Sequence, residues 1–87
     1  MIFPSHPAVP LKYGDSGSDV QVMQAALNVV FAKYPVYDTL AEDGSFGNNT
    51  DNAVRRFQQH VGLTADGVVG RYTWISIFAV ANIISEP

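Results

Sequence analysis

Three places in this 87-residue chain set side chains capable of chemistry close together. Gly14-Asp15-Ser16-Gly17 puts a hydroxyl between an acid and a glycine, as a serine nucleophile is often placed. Such a serine needs an imidazole within hydrogen-bond reach. The only histidines are His6, in a proline-containing stretch, and His60, at the end of a helical pattern. The chain is also far too short for the double barrel that carries such a site in serine proteases, so the stretch reads as a turn. Glu42 and Asp43 are adjacent carboxylates. Glycoside hydrolysis needs a pair on opposite sides of a sugar, roughly 5–9.5 Å apart, which neighbours in one turn do not supply. Asp43 is more simply an Asx-turn residue. Asp43, Ser45 and Asp51 do not form a calcium loop, because Gly44 and Phe46 interrupt the alternation and no closing bidentate Glu follows. Two histidines without a carboxylate motif do not make a zinc site. With no cysteine there is no thiol nucleophile, disulfide scaffold or thiolate metal site. No catalytic residue and no cofactor are expected.

The elements that position these residues come from a chain with one small core. Its 47% apolar content supports burial, and a domain of this size buries roughly 60–65% of its unfolded surface. Only 15% of residues are charged, where about 25% is usual. The net charge is −3, and the basic residues are scattered at 12, 33, 55, 56 and 71. Nucleic-acid binding needs clustered cations and is excluded as the leading reading. No run approaches the roughly 18–20 apolar residues of a membrane span. Met1 to Pro7 has neither the basic nor the apolar region of a signal peptide. Residues 1–10 hold three of the five prolines and read as an extended arm or linker, residues 11–82 as the domain, and 83–87 as a tail.

Three segments carry helical period. Val20, Met23, Leu27, Val30, Phe31 and Tyr34 share one face, with Ser18-Asp19-Val20-Gln21 as a capping box before them and Pro35 after them. Ala53, Val54, Phe57 and Val61 form the stripe of a second helix from about Asn48, and Gly62 stands where a left-handed C′ glycine belongs. Trp74, Ile77, Phe78 and Ala81 form that of a third, from about Arg71 to Asn82. Strand signals are weak. The fold class is all-α: a compact three-helix bundle whose helices are too short to persist unless packed.

Asp43-Gly44-Ser45-Phe46-Gly47-Asn48-Asn49-Thr50 and Asp66-Gly67-Val68-Val69-Gly70-Arg71-Tyr72-Thr73 repeat one pattern, D-G-x-x-G-x-x-T, 23 positions apart. Each copy directly precedes a helix. The Asp closes an Asx turn, the first Gly supplies positive φ, the fourth residue plugs the core, and the second Gly admits the chain to the helix.

These blocks, in this order, resemble the peptidoglycan-binding-like domain, a three-helix module of cell-wall hydrolases. The opening Leu11-Lys12-Tyr13-Gly14-Asp15-Ser16-Gly17-Ser18-Asp19-Val20 with Met23-Gln24-Ala25-Ala26-Leu27 is similar to the family's first block. Asp43 through Gly47 with Thr50, Ala53-Val54 and Phe57-Gln58 is similar to its second, and Leu63-Thr64-Ala65-Asp66-Gly67-Val68-Val69-Gly70 with Thr73-Trp74 to its third. The departures are a long, apolar and aromatic connection over 29–42, Asn48 where a proline is common, and the tail. The connection is expected to reshape whatever groove it borders. The resemblance implies non-catalytic binding of bacterial peptidoglycan, glycan strand or stem peptide. It also implies a cell-wall hydrolase partner, in cis or in trans, at the bacterial wall or outside the cell, as in phage endolysins and autolysins. The alternative reading is a protein-interaction or autoinhibitory module of the pro-segment type, docking on its enzyme partner: a related fold serves as the inhibitory pro-segment of animal matrix metalloproteinases, although the cysteine that inhibits there is missing here.

Binding a glycan or muramyl peptide calls for flat apolar faces, amides and hydroxyls, and a guanidinium for carboxylates. Asp43, Asn48, Asn49, Asp66, Arg71 and Tyr72 are the candidate ligand-binding residues. If the two turns lie together, Asn48, Asn49, Arg71 and Tyr72 rim one groove. The plainer alternatives are that Asn48 or Asn49 caps the second helix and that Arg55-Arg56 is a solvated face. Phe46 and Trp74 read as core, and Tyr13, Tyr34 and Tyr37 as further exposed aromatics. Asn48-Asn49-Thr50 is formally a glycosylation sequon, which matters only in a eukaryotic secretory pathway. With 19 Asn, Gln, Ser and Thr against 13 charged residues, wall binding is expected to be only mildly salt-sensitive.

Overall fold

The structure, a computed structural model, describes residues 10–33 and 39–85, with no account of the side chains of 84 and 85. Most of the arm, the expected aromatics Tyr34 and Tyr37, Pro35 and His6 therefore lie outside the described residues. The element order is α1 (Ser18–Lys33), α2 (Asn48–Val61) and α3 (Arg71–Ser85), with no strand among the described residues. The third helix runs three residues past the expected Asn82, since nothing in Ile83-Ile84-Ser85 breaks it.

The apolar stripes do what their spacing demands. Val20, Met23, Leu27, Val30 and Phe31 of α1 are buried with Val54 and Phe57 of α2 and Trp74, Ile77, Phe78 and Ala81 of α3. α1 and α3 form the main helix pair. Trp74 and Phe78, one turn apart, bring ring centroids within 4.7 Å at an interplanar angle of 32°. Phe46, the plug of the first turn, is 2% exposed, and its counterpart Val69 is fully buried. Both therefore stabilise the core, by about 1.5–3 kcal/mol for each fully buried large apolar side chain.

The connections are stitched by two isolated antiparallel bridges, Leu11 with Val69 and Ser16 with Ser45. In the first, Leu11 N–H donates to the Val69 carbonyl (3.2 Å) and Val69 N–H to that of Leu11 (2.7 Å). The Gly14-Asp15-Ser16-Gly17 stretch is a turn. Asp15 Oδ2 accepts from Lys12 N–H at 3.0 Å, and Gly14 and Gly17 N–H donate to the Phe46 and Gly44 carbonyls. It serves as a strap over the first D-G turn.

Helix entry departs from the expected capping box. Gln21 N–H donates to the Gly17 carbonyl (3.2 Å), not to the Ser18 hydroxyl. The Gln21 side chain turns away to donate to the Glu42 carbonyl at 2.8 Å. Tertiary contact thus takes the residue that local capping would have used. Gly62 behaves as its position requires: φ is +82°, and its N–H donates to the carbonyls at the end of α2. Leu63 N–H adds a bond to the Gln58 carbonyl (2.8 Å).

Candidate functional site

The two D-G turns are built by one device. Gln24 of α1 is 1% exposed; its Nε2 lies 3.2 Å from Asp43 Oδ1, 2.9 Å from the Ser45 carbonyl and 3.1 Å from Thr50 Oγ1. Its Oε1 accepts from Gly44 N–H at 2.9 Å. Gln58 of α2, also 1% exposed, repeats every contact one turn later. Its Nε2 lies 3.0 Å from Asp66 Oδ1, 3.0 Å from the Val68 carbonyl and 3.2 Å from Thr73 Oγ1. Its Oε1 accepts from Gly67 N–H at 3.0 Å. A buried amide needs this degree of satisfaction, because an unpaired one costs about 1–3 kcal/mol.

The correspondence extends one turn back along each helix. Gln21 donates to the Glu42 carbonyl, and Arg55 Nη1 donates to that of Ala65 at 3.0 Å. Each thus holds the carbonyl just before the turn's aspartate. The first copy has a further tie: Asn28 Nδ2 donates to the Leu40 carbonyl and to Glu42 Oε2, both at 2.9 Å, while Leu40 N–H donates to Asn28 Oδ1 at 2.7 Å. Gln21, Gln24 and Asn28 lie at i, i+3 and i+7, so one polar stripe of α1 holds segment 40–45 in place.

Sequence reading missed both glutamines as structural residues. The signal was present: Gln24 follows Val20 by four and Gln58 follows Val54 by four, which places an amide on each apolar face. The two glycines of each turn also separate. Gly44 and Gly67 both take φ of +75°. Gly47 sits at φ −101° as the α2 N-cap, and a Cβ there or at Gly70 would meet nothing within 4 Å. Crowding therefore does not require the second glycine.

Asp43 and Asp66 face the turns they close. Asp43 Oδ1 accepts from Ser45 N–H at 2.9 Å and Asp66 Oδ1 from Val68 N–H at 2.9 Å. Those backbone bonds are the largest cause holding each carboxyl below its ordinary value, with the Gln24 or Gln58 amide adding to the effect. Asn48 and Asn49 do not cap α2: its N-cap is Gly47, with no side-chain cap bond. Both are exposed.

Asn48, Asn49, Arg71 and Tyr72, expected to rim one groove if the two turns lie together, fall into two recesses. Asp43, Asn48 and Asn49 line one recess, and Asp66, Arg71 and Tyr72 line another that shares no residue with it. The first recess runs on through Leu40, Ala41 and Asn49 into a cleft between segment 39–41 and α2. That cleft is floored by Phe31 and Ala53 and edged by Thr39, Asn52 and Arg56. The long connection does border a groove, as expected of it. The two arginines part company. Arg55 pairs with Asp51 at 3.1 Å, whereas Arg56 and Asn52 edge the cleft with no side-chain bond among the described residues. Asn49, Asn52 and Arg56, at i, i+3 and i+7, form one stripe, legible only once the cleft is known.

Among the described residues no three His, Asp or Glu side chains gather as metal ligands do, and no helix is long and apolar enough to cross a membrane. Ser16 is tied into its bridge with Ser45. The chain belongs to the putative peptidoglycan binding domain family, whose model matches residues 16–77.

It is 42% identical over 78 residues to the zinc D-Ala-D-Ala carboxypeptidase of Streptomyces albus G, covering 88% of this chain and 29% of that enzyme. It is 36% identical over 77 residues to the N-acetylmuramoyl-L-alanine amidase CwlL of Bacillus licheniformis, covering 88% of this chain and 21% of that one. The chain thus spans less than a third of the length of these relatives. Among solved structures, the SleB N-terminal domain superposes with a TM-score of 0.75 at 32% identity, covering 88% of this chain and 99% of that one. The Burkholderia AP3 phage endolysin does so with 0.68 at 35% identity, over 82% and 25%.

Proposed function

We propose that this chain is a non-catalytic module that attaches to bacterial peptidoglycan and holds a cell-wall hydrolase, in cis or in trans, on its polymer at the wall or outside the cell. The cleft between segment 39–41 and α2 carries the reading. It offers amides and hydroxyls from Asn49, Asn52 and Thr39 and one guanidinium from Arg56, above the apolar Phe31, Leu40 and Ala53. That combination suits a polymer of acetamido sugars and short peptides: the floor takes C–H surface, the amides take carbonyls and hydroxyls, and the guanidinium donates to carbonyl and hydroxyl oxygens. The family and the relatives named for enzymes of wall chemistry support the same reading. Attachment acts through effective concentration, because a weak module tethered to a catalytic unit raises local encounter without chemistry of its own.

Sedimentation with purified sacculi tests it. The chain is expected to pellet with the wall and to leave the turbidity of a wall suspension unchanged. Pelleting should weaken only mildly even at about 1 M salt, where charges are screened beyond roughly 3 Å. A chain that stays in the supernatant overturns the proposal, and clearing of the suspension would show an activity it does not include.

A further inference from the structure

The two recesses are copies of each other. Each of the eight residues lining the first, shifted by 23 positions, is a residue lining the second, from Leu40 and Leu63 at one end to Thr50 and Thr73 at the other. Gln58, whose amide holds the second turn, is the single addition there. A repeat that served the core alone would need to conserve only the inward residues. Here the outward shape is duplicated too, enclosing about 340 Å³ in the first recess and about 240 Å³ in the second.

The outward chemistry differs between the copies. Asn48 and Asn49 of the first become Arg71 and Tyr72 of the second, and Ser45 becomes Val68. The first mouth therefore sets neutral amides and a hydroxyl beside its turn aspartate, Asp43. In the second, Tyr72 stands 73% exposed beside an exposed guanidinium with no side-chain partner among the described residues. The one carboxylate lining that recess, Asp66, has Oδ1 turned inward to Val68 N–H and the Gln58 amide. A cation beside a flat ring, which the first recess lacks, favours a carboxylate carried on a short peptide or acyl chain.

Resting on the reading of this chain as a wall-binding module, we infer that it carries two ligand recesses at corresponding positions, one per copy of the repeat, that engage one peptidoglycan strand together. The Asn48/Asn49 recess takes the uncharged acetamido sugar, and the Arg71/Tyr72 recess takes a carboxylate of the stem peptide. The longest extent of the molecule is 34 Å, so the two recesses are separated by no more than a strand of a few repeating units spans. Two weak subsites on one polymer bind far more tightly than either alone, by as much as 10²–10⁴-fold.

Amide chemical-shift mapping on the whole chain tests this with three probes: chitotetraose, a free stem tetrapeptide, and a soluble strand bearing stem peptides. Chitotetraose is expected to move amides of 40–50, the tetrapeptide those of 63–73, and the strand both sets. Asn48→Ala/Asn49→Ala and Arg71→Ala/Tyr72→Ala should each lower strand affinity by about 100-fold. Each should also abolish the shifts from its own small probe while leaving the other's intact. Shifts confined to one recess, or a strand affinity that only one pair of substitutions lowers, overturn the twin-site inference while wall binding stands. A parent chain that neither pellets with sacculi nor shifts with any probe overturns the wall-binding reading instead. The altered side chains are exposed, and helical circular dichroism with an unchanged melting temperature separates lost binding from lost fold.

Discussion

In the first turn the clamping glutamine reaches across from another part of the chain: Gln24 of α1 meets Asp43 and Thr50 from 19 and 26 residues away. In the second it comes from the helix just before, with Gln58 reaching Asp66 and Thr73 over 8 and 15 residues. The contacts at the turn are the same, yet one is a tertiary tie and the other nearly local. Gln21 and Arg55 hold the two turns alike, and the first copy has an extra hold from Asn28, whereas the second follows the αL ending at Gly62. A turn can thus be copied along a chain if whichever helix packs over it presents an amide at one place. What faces solvent is then free to diverge, as Asn48-Asn49 and Arg71-Tyr72 have done.

The comparison breaks first at the glutamines. Gln24→Ala or Gln58→Ala strands a backbone N–H and a threonine hydroxyl in the interior, so each is expected to cost about 2–4 kcal/mol. Urea unfolding at neutral pH measures it. In a domain with about 5–10 kcal/mol in total, the double variant should not fold. A loss below about 1 kcal/mol at either position would show that the two clamps are not equivalent.

The left-handed glycines sharpen the contrast. Gly44→Ala and Gly67→Ala both force a Cβ into the left-handed region, at about 1–2 kcal/mol each. Their surroundings differ: a Cβ at Gly44 would come within 2.9 Å of the Gly17 carbonyl oxygen, which is backbone tied into the strap. At Gly67 its nearest contacts would be the Asp51 and Arg55 side chains, which can swing aside at the loss of a surface pair and of the Arg55 bond to the Ala65 carbonyl. Gly44→Ala is expected to lower the melting temperature more than Gly67→Ala, and the reverse order would show that the strap yields.

The smallest effect is in pH. Both turn aspartates are held below the ordinary value of 3.8, foremost by the Ser45 and Val68 backbone N–H groups. A depressed folded value contributes stability that is complete above the unfolded value and is lost as pH falls through the folded one. The unfolding midpoint should therefore hold from neutral pH down to about 4 and decline below 3.8. Asp43→Asn and Asp66→Asn should each flatten that decline, and an unaltered slope in both would separate the acid loss from these turns.

Much of this was legible beforehand because it follows from local rules. The 3.6-residue stripes, Gly62 as a left-handed ending, and positive φ at Gly44 and Gly67 all depend on a few neighbouring residues. Phe46 and Trp74 as core follow from size and pattern. The capping box failed because Ser18 and Gln21 satisfied a local rule that a distant carbonyl, that of Glu42, overrode. The common groove was conditional on the two turns lying together, and the recesses beside Asn48-Asn49 and Arg71-Tyr72 share no lining residue. Arg56 and Asn52 were invisible as cleft residues because only segment 39–41, brought over α2 by Asn28, gives them a wall to face.

The amino-acid sequence alone determined three amphipathic helices, two copies of one turn and their family, because periodicity, glycine placement and Asx geometry are written within short windows. Only the tertiary structure decided what the copies do. Packing brings Gln24 and Gln58 to matching places over turns at different distances along the chain. It divides one expected groove into two like-shaped recesses and sets a cleft beside the first. A repeat can be read from spacing, but which of its side chains share a surface depends on how α1, α2 and α3 close around the common core.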